Sequence, residues 1–313
     1  MRKHKKIIII ILFLILGIIS FFVGMGISVL KSMINKVERT NIDNSNLGIN
    51  SDIDNQYDDV KNIALFGIDS TEDSGRSDSI MILTINNKDN KLKITSLMRD
   101  SYVSIDGHGK DKLNHAYAFG GPELAVKTIN KNFDLNISDF VTVNFSSLPK
   151  LIDAVGGVEI DVDGEELKFI NNYINDLNFK NKTNYATINK TGLQHLNGTQ
   201  AMAYCRIRYT SGGDYKRSDR HREVLENLIQ KSTSISVLKY PELLSELLPM
   251  LKTSLSSGEI MNYGVQGVKL VNSLEQDRYP KDENSEEAMI NNVYYLKFDE
   301  RATIEALHNW IFN

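Results

Sequence analysis

The sequence predicts an α/β protein: a layered α/β/α domain with a central mixed β-sheet, preceded by one N-terminal transmembrane helix. From about residue 58, short apolar runs rich in β-branched residues alternate with stretches of helical periodicity. Such an alternation favours a sheet that carries helices on both faces. Ahead of this region, a long run of residues carries no charge, as expected of a membrane-spanning segment.

The predicted elements follow one another along the chain. Each strand is an apolar run bounded by Asp, Asn or Gly, and each helix has apolar positions spaced three to four residues apart. Pro122 lies near the start of the first helix of the domain, where proline is favoured. Strands are predicted at residues 60–69, 79–86, 91–98, 139–145, 156–162 and 291–298, and helices at 120–133, 146–155, 214–232, 241–255, 264–274 and 299–312.

The N-terminus has the features of a signal anchor. The uncharged run extends over 24 residues, from Ile7 to Leu30, which is long enough to cross a bilayer as one helix. It is too long for a signal peptide and no A-x-A-like cleavage site follows it, although cleaved secretion stays the alternative. Basic residues precede it, so the N-terminus is expected in the cytoplasm. We therefore predict a cytoplasmic tail (1–6), an anchor (7–30), a stalk (31–57) and an extracytoplasmic domain (58–313).

Composition excludes several classes of protein. Cys205 is the single cysteine, so no intramolecular disulfide forms, and no Cys/His spacing indicates zinc. The net charge is −4 and the domain is predicted outside the cell, which argues against nucleic-acid binding. The sequence also lacks a phosphate-binding G-x-x-x-x-G-K-[ST] loop, a G-x-S-x-G elbow and an H-E-x-x-H motif.

Charged residues stand at the ends of three predicted strands. Asp69 ends the first strand, Arg76 and Asp78 precede the second, and Arg99 and Asp100 follow the third. Ligands of layered α/β sheets bind in loops beyond strand ends, and two carboxylates near one point can hold Mg²⁺ together with phosphate oxygens. The spacing alone is equally compatible with charged, solvated loops.

A second group of candidates is basic. Arg206 and Arg208 share a side if their segment is extended. Within the predicted helix at 214–232, Arg217 shares a face with Arg220 at i+3 and with His221 at i+4. The planar fork of arginine suits bidentate binding of phosphate. The alternative is a solvated basic helix face.

Several stretches together resemble the LytR–CpsA–Psr family of envelope proteins. They occur in the family's order and cover about residues 60–230. The matching stretches are "NIALFGIDS", "GRSDSIMILTIN", "SLMRDSYVSI", "KLNHAYAFGG", "LPKLIDAVGGVEIDV", "GLQHLNGTQAMAYCRIRY" and "GDYKRSDRHREVL".

The resemblance implies a membrane-anchored phosphotransferase. Such a protein moves a glycopolymer phosphate from a polyprenyl-pyrophosphate lipid to peptidoglycan, through a phosphodiester and without nucleotide. By the resemblance, Mg²⁺ (with Mn²⁺ as the alternative) would be held by Asp69 and Asp78. The candidate base is Asp100, beside Arg99, or one of the two metal-binding carboxylates. The pyrophosphate would bind to Arg76, Arg99, Arg206, Arg208 and Arg217, with Lys112, Arg220 and His221 as further members of the pocket.

Two positions depart from the family's pattern, and two other functions stay open. Met98 stands where the family usually has proline, which alters the rigidity of a loop more than its chemistry. His221 stands where the family usually has glutamine, although histidine can also donate a hydrogen bond to phosphate. The alternatives are a hydrolase of the same lipid-linked pyrophosphate and a non-catalytic binding or regulatory protein of the envelope.

Overall fold

A computed structural model gives the fold of most of the predicted domain. The elements below are numbered in chain order along the described residues. These residues are 34–68, 75–144, 148–207, 210–211, 220, 223–224, 227, 231, 248–270 and 273–313.

The strands form one large sheet and three two-stranded antiparallel pairs. Most of the strands in the large sheet are almost wholly buried, which their runs of Ile, Leu and Val require. The strands are β1 (Glu38–Arg39), β2 (Val60–Ile68), β3 (Ser77–Asn86), β4 (Lys91–Leu97), β5 (Tyr102–Ile105), β6 (Gly109–Lys112), β7 (Asp139–Asn144), β8 (Val158–Val162), β9 (Gly192–Leu196), β10 (Leu251–Thr253), β11 (Leu274–Tyr279), β12 (Ser285–Ile290) and β13 (Val293–Phe298).

Helices lie between and after these strands, and several of them begin with a side-chain N-cap. An Asp or Asn side chain accepts a backbone N–H at the start of the helices that follow Asp163, Asn197 and Asp299. The helices are α1 (Ser51–Gln56), α2 (His115–Phe133), α3 (Leu148–Ala154), α4 (Gly164–Asn181), α5 (Gly198–Arg206), α6 (Ser257–Leu270) and α7 (Glu300–Phe312).

The large sheet is mixed, as predicted. Its strands lie in the order β1-β10-β7-β2-β3-β4-β11. The pairs β2–β3 and β3–β4 are antiparallel, whereas β7 runs parallel to β2 and β11 runs parallel to β4. The predicted strands at residues 60–69, 79–86, 91–98 and 139–145 are all present in this sheet.

Alternation along the strands produces two cores, one on each face of the sheet. In β2, Ile63 and Leu65 belong to one core, and Ala64 and Phe66 to the other. The first core includes residues of α4 and α5, and the second includes residues of α2 and α7. The layered α/β/α arrangement is therefore confirmed.

Several parts of the chain differ from the sequence prediction, which assigned no element to helices α4 and α5 or to strands β5, β6, β9 and β12. The stretch 241–255 was predicted as a helix, but Leu251–Thr253 is strand β10, which completes hydrogen bonds with β7. Residues 274–279 form the edge strand β11, which has no alternating apolar pattern. From residue 34 onward, the predicted stalk packs on the domain: Ile34 and Leu47 are fully buried, because both contribute apolar side chains to the cores.

The predicted anchor, residues 7–30, lies outside the described residues. Among the residues that are described, no helix is both long enough and apolar enough to cross a bilayer.

Candidate active site

The antiparallel order of β2, β3 and β4 places the predicted strand-end residues at one end of the sheet. The carboxyl end of β2 lies opposite the amino end of β3, where Ile68 pairs with Ser77. Likewise, the carboxyl end of β4 lies beside the first residues of β3. Arg76 and Asp78 are both exposed on either side of the buried Ser77, the pattern expected of an extended chain whose alternate residues share one side.

The loop after β4 is fixed by backbone hydrogen bonds to several other segments. The Met98 N–H donates to the carbonyl of Tyr279, at the end of β11, over 2.9 Å. The carbonyl of Arg99 accepts the N–H of Asn114 at 3.0 Å, and the carbonyl of Asp100 accepts the N–H of Leu296 at 2.9 Å. The backbone that carries Arg99 and Asp100 is therefore held in place by residues distant in the sequence.

Four charged side chains form a continuous network, which we call the strand-end cluster: Asp78, Arg99, Asp100 and Lys112. Arg99 donates from Nη1 to Asp78 Oδ1 at 2.9 Å and from Nε to Asp100 Oδ2 at 3.3 Å. Lys112 Nζ donates to Asp100 Oδ1 at 2.6 Å. The Lys112 ammonium also lies 5.6 Å and 5.7 Å from the ring centroids of Tyr294 and Tyr295.

Arg76 lies beside a histidine that the sequence reasoning did not select. Its Nη1 is 3.5 Å from Nε2 of His115, the first residue of α2. The other ring nitrogen of His115, Nδ1, is 2.8 Å from Asp111 Oδ2. Asp111 Oδ1 in turn accepts hydrogen bonds from the Lys112 backbone N–H at 2.8 Å and from the Tyr295 hydroxyl at 3.2 Å.

Asp111 is held in its charged form by these contacts. Burial would raise the pKa of its carboxyl, but the hydrogen bonds from His115, the Lys112 backbone and Tyr295 together outweigh burial and lower the pKa below its usual value. His115 follows Asp111 by four residues, a spacing that predicts contact within a helix, but the helix here begins only at His115. The sequence pattern therefore does not predict this contact. Tyr295 is 184 residues away and has no local signal.

Arg220 lies in the interior of the protein. Its side chain is 2 % exposed, and Nε donates to Glu166 Oε1 at 2.7 Å. Its other two nitrogens donate to the carbonyl of Ile207 and to the hydroxyl of Thr210. These bonds engage all three guanidinium nitrogens of Arg220 inside the protein, and its binding role stays a prediction.

The remaining predicted residues are not part of the strand-end cluster as it is described. Arg206 is the last residue of α5, and no hydrogen bond among the described residues joins it to the cluster. Asp69, Arg208, Arg217 and His221 lie outside the described residues. Within the described ranges, no three His, Cys, Asp or Glu side chains converge to hold a metal ion.

The fold and the cluster define a class of protein: a layered α/β domain with cationic and carboxylate side chains converging beyond the ends of its sheet. Such a site can bind an anion and neutralise charge as a phosphoryl group moves. The sequence profile of the LytR_cpsA_psr family matches residues 22–309, and the chain belongs to that family.

Named relatives support this membership over nearly the whole chain. The chain is 33 % identical over 308 residues to a protein of Enterococcus faecalis named polyisoprenyl-teichoic acid–peptidoglycan teichoic acid transferase TagU, covering 96 % of this chain and 95 % of that protein. A structure of TagT bound to LI-WTA has a TM-score of 0.59 and 28 % identity, covering 81 % of this chain and 91 % of that one. A structure of TagT with bound octaprenyl pyrophosphate lipid has a TM-score of 0.55 and 27 % identity, covering 82 % and 91 %.

Proposed function

We propose that this protein transfers a glycopolymer phosphate from a polyprenyl-pyrophosphate lipid to peptidoglycan, and so forms a phosphodiester link in cell-wall assembly. The observation that carries the proposal is the strand-end cluster, with Arg99 and Lys112 held beside Asp78 and Asp100. It occurs in a chain whose relative is named for transfer to peptidoglycan and whose structural neighbour binds octaprenyl pyrophosphate. Cationic donors and carboxylates are the groups that pyrophosphate chemistry requires.

The reaction forms one P–O bond and breaks another. The oxygen of an acceptor hydroxyl on peptidoglycan attacks the phosphorus on the glycopolymer side of the pyrophosphate. The anhydride bond breaks, its electron pair leaves with the lipid phosphate, and a base takes the hydroxyl proton. Because negative charge grows on the leaving phosphate, positioned cations lower the barrier.

Arg99 suits this task because its guanidinium is oriented before any substrate arrives. It is 23 % exposed, so it faces solvent while its Nη1 and Nε bind Asp78 and Asp100. Lys112, 16 % exposed, adds a second fixed cation on the other side of Asp100.

Mg²⁺ is part of the proposal, with Mn²⁺ as the alternative. Asp78 fits a hard cation, because its carboxylate is 38 % exposed at the end of the sheet and offers oxygen ligands. Asp69 directly follows β2 in the sequence and is the second proposed ligand. When bound, the ion would neutralise charge on the pyrophosphate and on the leaving phosphate.

Asp78→Ala should abolish metal-dependent transfer without unfolding the protein, because it removes a ligand and breaks only a partly exposed ion pair. The measurement uses the full chain in detergent with a lipid-linked pyrophosphate glycopolymer and peptidoglycan, and identifies the product by mass. Asp106→Ala is the matched control, since Asp106 is also paired with cations, Lys127 and Lys131, on an exposed turn.

Two results would contradict this part of the proposal. Full transfer by Asp78→Ala in excess chelator would remove the metal role. If the wild type releases free glycopolymer phosphate and attaches none to peptidoglycan, the protein is a hydrolase. If it binds the lipid-linked pyrophosphate without forming any product, it is a non-catalytic envelope protein.

We also propose that residues 7–30 anchor the chain, with the catalytic domain outside the membrane. The support is the apolar run and the basic residues before it. Protease added to cells stripped of wall should digest the domain and leave a small membrane fragment. Protection of the domain until the membrane is permeabilised would reverse this orientation.

A further inference from the structure

The contact between Asp111 and His115 fixes which ring nitrogen carries hydrogen. The Asp111 carboxylate, whose pKa is lowered, can only accept, so the hydrogen lies on Nδ1 of His115, 2.8 Å from Asp111 Oδ2. The other nitrogen, Nε2, faces Nη1 of Arg76 at 3.5 Å. Because a guanidinium can only donate, Nε2 presents its lone pair on the side of Arg76.

The ring of His115 is also held in position by its surroundings. Asp111 is anchored by the Lys112 backbone N–H and the Tyr295 hydroxyl. Phe119 packs edge-on against the imidazole, with ring centroids 5.8 Å apart. His115 is 21 % exposed and Asp111 22 %, so the pair is sheltered but open to solvent on one side. A carboxylate that orients a histidine is the arrangement of a general base, and the second nitrogen of this histidine faces Arg76, a predicted pyrophosphate ligand.

The carboxylates considered so far are less suited to take a proton. Asp78 accepts from Arg99, and Asp100 accepts from both Arg99 and Lys112. Both oxygens of Asp100 are thus engaged by cations, and Asp78 is in addition a proposed metal ligand. Imidazole is the side chain that exchanges a proton most readily near neutral pH.

We propose that His115 is the general base of the transfer and that Asp111 is its positioning residue; this proposal rests on the proposed function. The 3.5 Å contact from Arg76 is at the limit of a hydrogen bond, so it is readily given up when Arg76 turns to a phosphate. Nε2 then accepts the proton of the acceptor hydroxyl as its oxygen forms the new P–O bond. The anhydride bond breaks, the electron pair leaves with the lipid phosphate, and the imidazolium later releases its proton to that phosphate or to water.

The test separates proton transfer from binding. In full-length protein, His115→Ala should slow single-turnover transfer by about 10²- to 10⁴-fold, while affinity for a polyprenyl pyrophosphate stays within about threefold of the wild type. Added imidazole should restore part of the lost rate. His115→Gln should be as slow as His115→Ala, because an amide can accept from Arg76 but cannot take the proton.

Two further variants sharpen the result. Asp111→Asn should slow transfer as well, with affinity for the lipid unchanged, because an amide no longer fixes the hydrogen on Nδ1. His195→Ala is the matched control: His195 Nδ1 lies 2.7 Å from Glu159 Oε1 in the β8–β9 pair, so it is another acid-paired histidine, and its loss should leave the rate unchanged.

Distinct outcomes overturn the two proposals. If the wild type attaches no glycopolymer to peptidoglycan, the proposed function fails. If the wild type is active and His115→Ala transfers within about threefold of it, the general base lies elsewhere. If His115→Ala loses lipid affinity in proportion to rate and imidazole restores nothing, or if His115→Gln recovers the rate, His115 only positions Arg76 and the proposal is wrong.

Discussion

Arg99→Ala should lower transfer by about a hundred- to a thousand-fold, which is the loss expected when one preorganised donor to developing charge is removed. Arg99 contacts both carboxylates of the strand-end cluster: Nη1 lies 2.9 Å from Asp78 Oδ1, and Nε lies 3.3 Å from Asp100 Oδ2. Its removal therefore takes away a cation, breaks the ion pair with Asp78, and removes one of the two cations that contact Asp100. Single-turnover transfer, measured with the full chain, reports the effect.

Arg99→Lys tests whether charge or geometry matters. An ammonium keeps the positive charge, but it lacks the planar fork that reaches two carboxylates from Nε and Nη1. We therefore expect Arg99→Lys to remain at least tenfold below the wild type, since a charge-assisted hydrogen bond contributes about 1.5–3 kcal/mol. Recovery of the full rate by lysine would show that Arg99 supplies only charge.

The control for Arg99 is an arginine at the far edge of the same sheet. Arg39, in β1, donates to the Ser257 hydroxyl at 2.8 Å. Arg39→Ala should leave transfer unchanged. The melting temperature of each variant is measured as well, so that a loss of transfer caused by unfolding is recognised. Equal losses in Arg39→Ala and Arg99→Ala would mean that the strand-end cluster has no particular role in the reaction.

The sequence predicted the centre of the sheet because local patterns determine it. β2, β3 and β4 follow one another along the chain, and their apolar runs need burial on both faces. The predicted proximity of Asp78 and Arg99 follows from the antiparallel order of those strands. That these residues bind pyrophosphate or metal stays a prediction.

The parts that were missed depend on contacts between distant segments. β10 has three residues and is a strand because β7 and β1 pair with it on either side. Tyr295 reaches Asp111 from β13, near the other end of the chain. The sequence around Arg220 is also that of a solvated basic helix face. Its partner Glu166 lies 54 residues earlier, so the local sequence does not predict that Arg220 is buried.

Arg220→Ala should destabilise the fold more than the loss of a surface arginine would. The pair it forms with Glu166 is buried, with side-chain exposures of 2 % and 7 %. Glu166 is also the third residue of α4 and closes its capping box, where its Oε2 accepts the Asp163 N–H at 3.0 Å. Arg220 further joins the carbonyl of Ile207, beyond the end of α5, at 3.1 Å. The side chain thus ties the start of one helix to the end of another.

The expected cost follows from leaving a charge buried. Removing one partner of a buried ion pair typically costs about 3–5 kcal/mol, which is a large part of the 5–15 kcal/mol by which domains are stable. Denaturant unfolding of the full chain in detergent measures this change. Glu166→Ala added to Arg220→Ala should cost less than it does alone, because it removes the carboxylate that the first change left unpaired.

Lys91→Ala is the matched control for Arg220→Ala. Lys91 pairs with Glu275 at 3.2 Å, and their side chains are 36 % and 41 % exposed, so its loss should change the free energy of unfolding by no more than about 1 kcal/mol. A loss in Arg220→Ala as small as this would mean that the buried pair contributes little to stability.

The same variants also test the binding role of Arg220, because the affinity of each folded variant for polyprenyl pyrophosphate can be measured. If Arg220→Ala binds this lipid as the wild type does, the internal pair is the whole function of Arg220; a weakened affinity in the folded variant would instead show that the guanidinium exchanges its internal partners for phosphate.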